Sequence, residues 1–255
     1  MTTVRQEIKL GLGLLSIGRK WGYKSESPPP EHQAHELIAE AISLGITFFD
    51  TAPAYGPSER LFGKYLQHSP SVMKRIIIAT KMGEHWASDQ QCTYIDHSYD
   101  ALGRSIEQSV RLLGRVDVLQ LHKASSSNVG SPSVIRAIEY ARDLGIKQFG
   151  VSVSDFETAR AACAVGVYSF IQFPFNRLSS QLKSIFGLTR EMTLLINRPF
   201  AMGQLILGDP EEKNRCMQEA LAFICAEQFS GYVLVGTKSA SHLVNTFNVF
   251  QSLKT

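Results

Sequence analysis

The sequence predicts an α/β protein of eight strand–helix units in one domain spanning residues 1–255, and three observations lead there. Short apolar or β-branched runs alternate with amphipathic stretches down the whole chain. Glycines stand where two of the helical patterns stop, and no linker or low-complexity tract interrupts the alternation. Eight such units close into a (β/α)8 barrel of the TIM type or line up as an open doubly wound sheet, and the count alone fits both.

The strands read as residues 9–17, 46–50, 75–80, 116–121, 148–152, 169–173, 193–197 and 232–236. Between the first two, Leu37, Ile38, Ala41 and Leu44 share one helical face, and Gly45 is a natural stop. Residues 58–67 form the next helix; then Leu102, Ile106, Val110 and Leu113 make a second clear stripe, ended by Gly114. The remaining helices are expected over 131–144, 154–164, 180–190, 211–229 and 239–250, several opened by a serine suited to an N-cap. Residues 25–30 read Ser-Glu-Ser-Pro-Pro-Pro, a loop in which the prolines forbid an internal helix.

Composition narrows the function. The 255 residues are 44% hydrophobic and 19% charged, with a mean hydropathy of -0.05, the profile of an ordinary globular chain. The formal charge of +3 comes from 26 basic against 23 acidic residues with no long like-charged run, which argues against a nucleic-acid groove or a basic membrane patch. Residues 1–9 hold no apolar leader and no stretch reaches bilayer length, so a cytoplasmic location is expected. Cys92, Cys163, Cys216 and Cys225 are far apart, and His32 and His35 lack carboxylate or thiolate partners at ligand spacing. Neither disulfides nor a metal site is expected.

In a sheet of βα units the reactive groups belong at the C-terminal ends of strands. Asp50 ends the second strand, Tyr55 lies in the loop after it, Lys81 follows the third and His122 the fourth. Singly, each has an ordinary explanation as a turn cap, rim packing, a solvated amine or a loop hydrogen bond; their joint placement on neighbouring strands points to chemistry. A hydride arriving at a carbonyl carbon leaves an alkoxide that needs a proton. A phenol with a pKa of about 10 is a reluctant donor, and a nearby ammonium lowers that value. Lys81 would be that ammonium, Asp50 its counter-ion, and His122 a second hydrogen-bond donor to the same oxygen.

The stretch from Phe48 through Asp50-Thr51-Ala52-Pro53-Ala54-Tyr55-Gly56 to Ser58-Glu59 resembles the signature of the aldo-keto reductases around their catalytic Asp and Tyr. Ala79-Thr80-Lys81 and Asp117-Val118-Leu119-Gln120-Leu121-His122 resemble the segments carrying the family's catalytic Lys and His. The likeness keeps its order and spacing from about Leu10 to Phe250, and it implies the barrel rather than the open sheet.

It also implies a cofactor, NADP(H), and a small-molecule carbonyl substrate. Gly11 and Gly13 start like a Rossmann fingerprint, but no helix follows, so they read as first-strand glycines. By resemblance, Ser152 and Gln172 hold the nicotinamide carboxamide, with Val153 standing where the family usually has Asn. Arg198 and Phe200 resemble the segment along the pyrophosphate. Gly236, Thr237, Lys238 and His242 resemble the grip on the adenosine 2'-phosphate, although the family often has Arg where His242 stands. Trp21 and Trp86 are candidate substrate-pocket walls, and short segments at 179–187 and 207–214 imply an open pocket. The same fold also serves as a redox-sensing regulatory barrel with little turnover, which is the alternative the resemblance leaves.

Overall fold

The computed structural model describes residues 7–189 and 191–254. Its strands are β1 (Ile8–Gly13), β2 (Phe48–Asp50), β3 (Ile77–Met82), β4 (Glu84–Ala87), β5 (Cys92–Ile95), β6 (Val118–Leu121), β7 (Gln148–Ser152), β8 (Phe170–Pro174), β9 (Thr193–Asn197) and β10 (Gly231–Val235). Eight of them pair in parallel around a closed ring in the order β1, β2, β3, β6, β7, β8, β9, β10, with β10 returning to β1. This is the (β/α)8 barrel, and the open sheet is excluded. β4 and β5 form an antiparallel hairpin after the third barrel strand, which the sequence analysis missed. The reason is physical: β5 is largely exposed, so no apolar alternation marks it.

The helices are α1 (Leu15–Gly18), α2 (Glu31–Ser43), α3 (Ser58–Gln67), α4 (Pro70–Met73), α5 (Tyr99–Leu113), α6 (Pro132–Asp143), α7 (Phe156–Val165), α8 (Ser184–Leu188), α9 (Pro210–Cys225) and α10 (Ala240–Ser252). Ser131 and Ser239 act as the expected N-caps of α6 and α10, accepting from Val134 N and His242 N. Ser154 does not cap α7; Asp155 does, accepting from Thr158 N at 2.7 Å. Gly114 ends α5 in the left-handed region at φ 75°. Among the described residues no helix is long and apolar enough to cross a membrane.

Two expectations need correction. The first strand stops at Gly13 instead of residue 17, because at the barrel mouth the chain leaves the sheet: Leu14 N donates to Asp50 O at 2.8 Å and Ser16 Oγ to Thr237 O at 2.8 Å, and residues 15–18 wind into one turn. The helix expected over 180–190 shrinks to α8, since Asn176 and Ser179 pair as a turn before it. Arg190, Thr255 and residues 1–6, on which part of the N-terminal reading fell, lie outside the described residues.

Strand side chains alternate in and out, and this sets the site. Phe48, Ala79, Val118, Phe170, Leu195 and Leu234, from six barrel strands, make one buried inner cluster. Two residues further along the same strands stand Asp50, Lys81, Gln120, Gln172, Asn197 and Gly236, the row nearest the C-terminal mouth. Apolar packing closes the bottom of the barrel, and a polar row forms the floor of the top. The intervening side chains face the helices, as where Phe49 stacks on Phe62 with ring centroids 5.1 Å apart.

Candidate active site

The floor is organised around one carboxylate. Lys81, 1% exposed, places Nζ 2.7 Å from both oxygens of Asp50 and 3.0 Å from Thr51 O. Gln120 donates from Nε2 to Asp50 Oδ1 at 2.8 Å, and Gln172 from Nε2 to Oδ2 at 3.3 Å. Burial alone would discharge the lysine, but Asp50 first and Tyr55 after it together hold the ammonium above its ordinary range.

Tyr55 ends the 3-10 turn Pro53–Tyr55 and is buried. The Lys81 ammonium lies 5.0 Å from the centroid of its ring, and the His122 ring stands 6.0 Å away at 86°. All four predicted residues therefore meet. The direction of the phenol's shift, however, is the reverse of the expected one: burial pushes Tyr55 up, and the opposing charge of Lys81 does not overcome it. Tyr55 therefore keeps its proton at neutral pH, with the Lys81 ammonium close to its ring.

His122 is driven well below the ordinary imidazole range, by burial first and then by the positive charges of Lys81, Lys123 and Arg19. It is neutral at pH 7 and can give one N–H without carrying charge. Its Nδ1 comes within 3.1 Å of Glu84 Oε2 but is not aligned for a hydrogen bond.

Above the floor opens a cavity of about 810 Å³. It runs from Tyr55, Glu84 and His122 at one end to Lys238, Ser239 and His242 at the other, past Ser152, Gln172 and the loop after β9. The Asn245 amide donates to Asn214 Oδ1 at 2.6 Å, joining α9 to α10 and setting Lys213 beside His242's helix at the far end.

Residues 9–192 match the sequence profile of the Aldo/keto reductase family. The chain belongs to that family. It is 28% identical over 181 residues to aldo-keto reductase YhdN of Bacillus subtilis, covering 69% of this chain and 52% of that protein. To L-galactose dehydrogenase of Arabidopsis thaliana it is 33% identical over 117 residues, covering 44% of this chain and 33% of that protein. The match thus spans about half the length of these relatives or less. Among solved structures, PA4992 of Pseudomonas aeruginosa shares the fold with a TM-score of 0.80 at 21% identity, over 96% of this chain and 90% of that one.

In this aldo/keto reductase chain the cofactor-side residues named from the sequence all line the one cavity. Gln172 Oε1 and Asn197 Oδ1 are buried acceptors without a partner among the described residues. Unpaired buried acceptors on a cavity wall call for a donor from a ligand, which an amide NH2 supplies; the residues present therefore fit a carboxamide-bearing ring. Val153 is buried, its backbone N donating to Gln172 O at 2.9 Å. Arg198, at φ 54°, opens the loop that also carries Phe200, and Ala201 and Met202 share its left-handed backbone at 47° and 60°. The loop is bent tightly over the cavity.

Lys238 lines the same cavity. Its ammonium donates to Glu26 O at 2.6 Å and Ser27 O at 2.8 Å, and so ties the loop between α1 and α2 to the start of α10. Trp21 lines the cavity, whereas Trp86, on β4, stands behind Arg19 and does not reach it. The sequence reading missed Gln120, Glu84, Arg19 and Lys213. Gln120 is the next inward position after Val118 on the same strand; Arg19 lies in the loop beyond the first strand, where spacing carries no signal.

Proposed function

We propose that this chain is an NADP(H)-dependent oxidoreductase that reduces a small aldehyde or ketone to the alcohol, or runs the reverse, with Tyr55 as the proton donor. The observation that carries the reading is the meeting of Tyr55, His122 and the Lys81–Asp50 pair at one end of a cavity whose other end is cationic.

Ser152, Gln172 and Asn197 would hold the carboxamide, Arg198 and Phe200 the pyrophosphate, and Gly236, Thr237 and His242, with Lys213, the adenosine phosphate end, while Lys238 fixes the loop at Glu26 and Ser27 beside it. Bound there, the nicotinamide supplies the hydride. The chain supplies the rest. Neutral His122 donates a hydrogen bond to the substrate oxygen and fixes its position. Tyr55 Oη gives its proton to that oxygen as negative charge builds on it. Lys81 stabilises the phenolate left behind, and Asp50, held from three strands, keeps Lys81 charged and still.

The test is direct. NADPH should bind with quenching of the protein's tryptophan emission, and it should be oxidised in the presence of small aldehydes or quinones. Tight binding with no oxidation across such a panel would instead support the regulatory barrel.

A further inference from the structure

Building on that reading, we propose that Arg19 binds an anionic group on the substrate, so that the carbonyl compounds turned over here carry a carboxylate or a phosphate. Arg19 follows α1 directly, and its guanidinium lies near both indoles, 5.7 Å from the Trp21 ring centroid and 5.8 Å from that of Trp86. These are the only two tryptophans in the chain.

Close backbone packing ties this side chain to the proton donor. A Cβ built on Gly18 would stand 1.8 Å from Tyr55 O; one on Gly56 would stand 2.7 Å from Gly18 O and 3.7 Å from Trp86 Cε2. Arg19 therefore starts against the Tyr55 turn and lines the cavity at the catalytic end.

Its charge has no counterpart. Among the described residues the guanidinium forms no ion pair and donates no hydrogen bond to the protein, and its Nε is buried and unpaired. The three carboxylates on the cavity wall are all engaged: Asp50 by Lys81 at 2.7 Å, Glu84 by Lys123 at 3.6 Å and Glu26 by Lys238 at 3.6 Å. A guanidinium cannot shed its proton to relieve this, and its planar fork matches a carboxylate or phosphate. Arg198 also lies near Trp21, 5.6 Å from its ring centroid, and is assigned above to the pyrophosphate, which leaves Arg19 for the substrate.

The experiment compares kcat/KM for succinic semialdehyde with its methyl ester, and for glyceraldehyde phosphate with glyceraldehyde, in wild type, Arg19→Met and Arg19→Lys. One anionic member of a pair should be preferred by wild type, and which pair shows it names the anion. Arg19→Met should lower that preference by about thirtyfold, as expected for losing one charge-assisted pair, and Arg19→Lys should restore part of it. An unchanged preference overturns the proposal, as does a preference that survives while the Kd for NADPH rises, which would put Arg19 on the cofactor. If none of the four compounds is reduced, the reductase reading is decided by the wider aldehyde and quinone panel and not by Arg19. Arg19 is then read by tryptophan emission: succinate and inorganic phosphate should each be titrated, a saturable change lost in Arg19→Met is expected, and no change with either anion overturns the site.

Discussion

Gln120 donates from Nε2 to Asp50 Oδ1 at 2.8 Å across a sequence separation of 70 residues. With Lys81 on β3 and Gln172 on β8 it makes a carboxylate at the end of β2 the meeting point of four strands. The position of the ammonium beside Tyr55 is therefore a property of the barrel and not of one loop.

Gln120→Leu should accordingly cost about 1.5–3 kcal/mol, the range for a hydrogen bond to a charged group. In a chain of this size that is a fall of several degrees in Tm, at about 2–4 °C per kcal/mol. Turnover should fall more than KM rises, because a loosened Asp50 misplaces Lys81 without touching substrate. Thermal melts and steady-state kinetics on the variant check both; an unaltered Tm would mean that Lys81 alone fixes the carboxylate.

Removing the lysine is a harsher change. Lys81→Met leaves Asp50 buried without a cation and should destabilise the fold by about 3–5 kcal/mol. Replacing both, as Lys81→Met with Asp50→Leu, should recover much of that stability while activity stays lost. Recovery of turnover in the double variant would contradict the role given to Lys81.

The pH profile follows from the two shifted groups. Tyr55 is raised by burial, so the fold keeps its proton where a free phenol, near pH 10, would already be losing it. Reduction should hold steady from neutral pH into that range and fall only above it, while oxidation, which needs the phenolate, climbs throughout. His122 is pushed far down, so no acid limb should occur near the usual imidazole value of about 6.5. Initial rates in both directions measure this; an alkaline decline in reduction well below pH 10 would show a phenol lowered by Lys81 after all.

Lys238 offers a separate prediction, since its ammonium is held by the carbonyls of Glu26 and Ser27. Lys238→Ala should free that loop from the cavity edge and weaken NADPH and NADH by similar factors. Selective loss of NADPH affinity, by about tenfold or more, would place the ammonium on the 2'-phosphate instead. Equilibrium binding of the two cofactors separates these results.

The meeting of Asp50, Tyr55, Lys81 and His122 was legible because they lie at or just after the ends of strands that neighbour one another in the barrel, so order along the chain already implied proximity in space. The barrel was legible from eight repeats, with closure coming from the resemblance. Other features depend on three-dimensional facts that spacing does not carry. Gln120 reaches Asp50 past the intervening strand β3, Trp86 sits on the β4–β5 hairpin, and Lys238 meets a loop more than 200 residues away in sequence. The sign of the Tyr55 shift was missed for the same reason: the sequence names Lys81 as a neighbour but does not say how deeply the phenol is buried.

The most direct test of the account is Tyr55→Phe, measured both for NADPH binding and for turnover of whichever aldehyde the wild type reduces. Loss of the hydroxyl alone should leave the Kd for NADPH essentially unchanged and cut kcat by about a hundredfold or more, the contribution expected of a positioned general acid. Turnover equal to wild type in that variant would contradict the assignment of Tyr55 and, with it, the reading of the site.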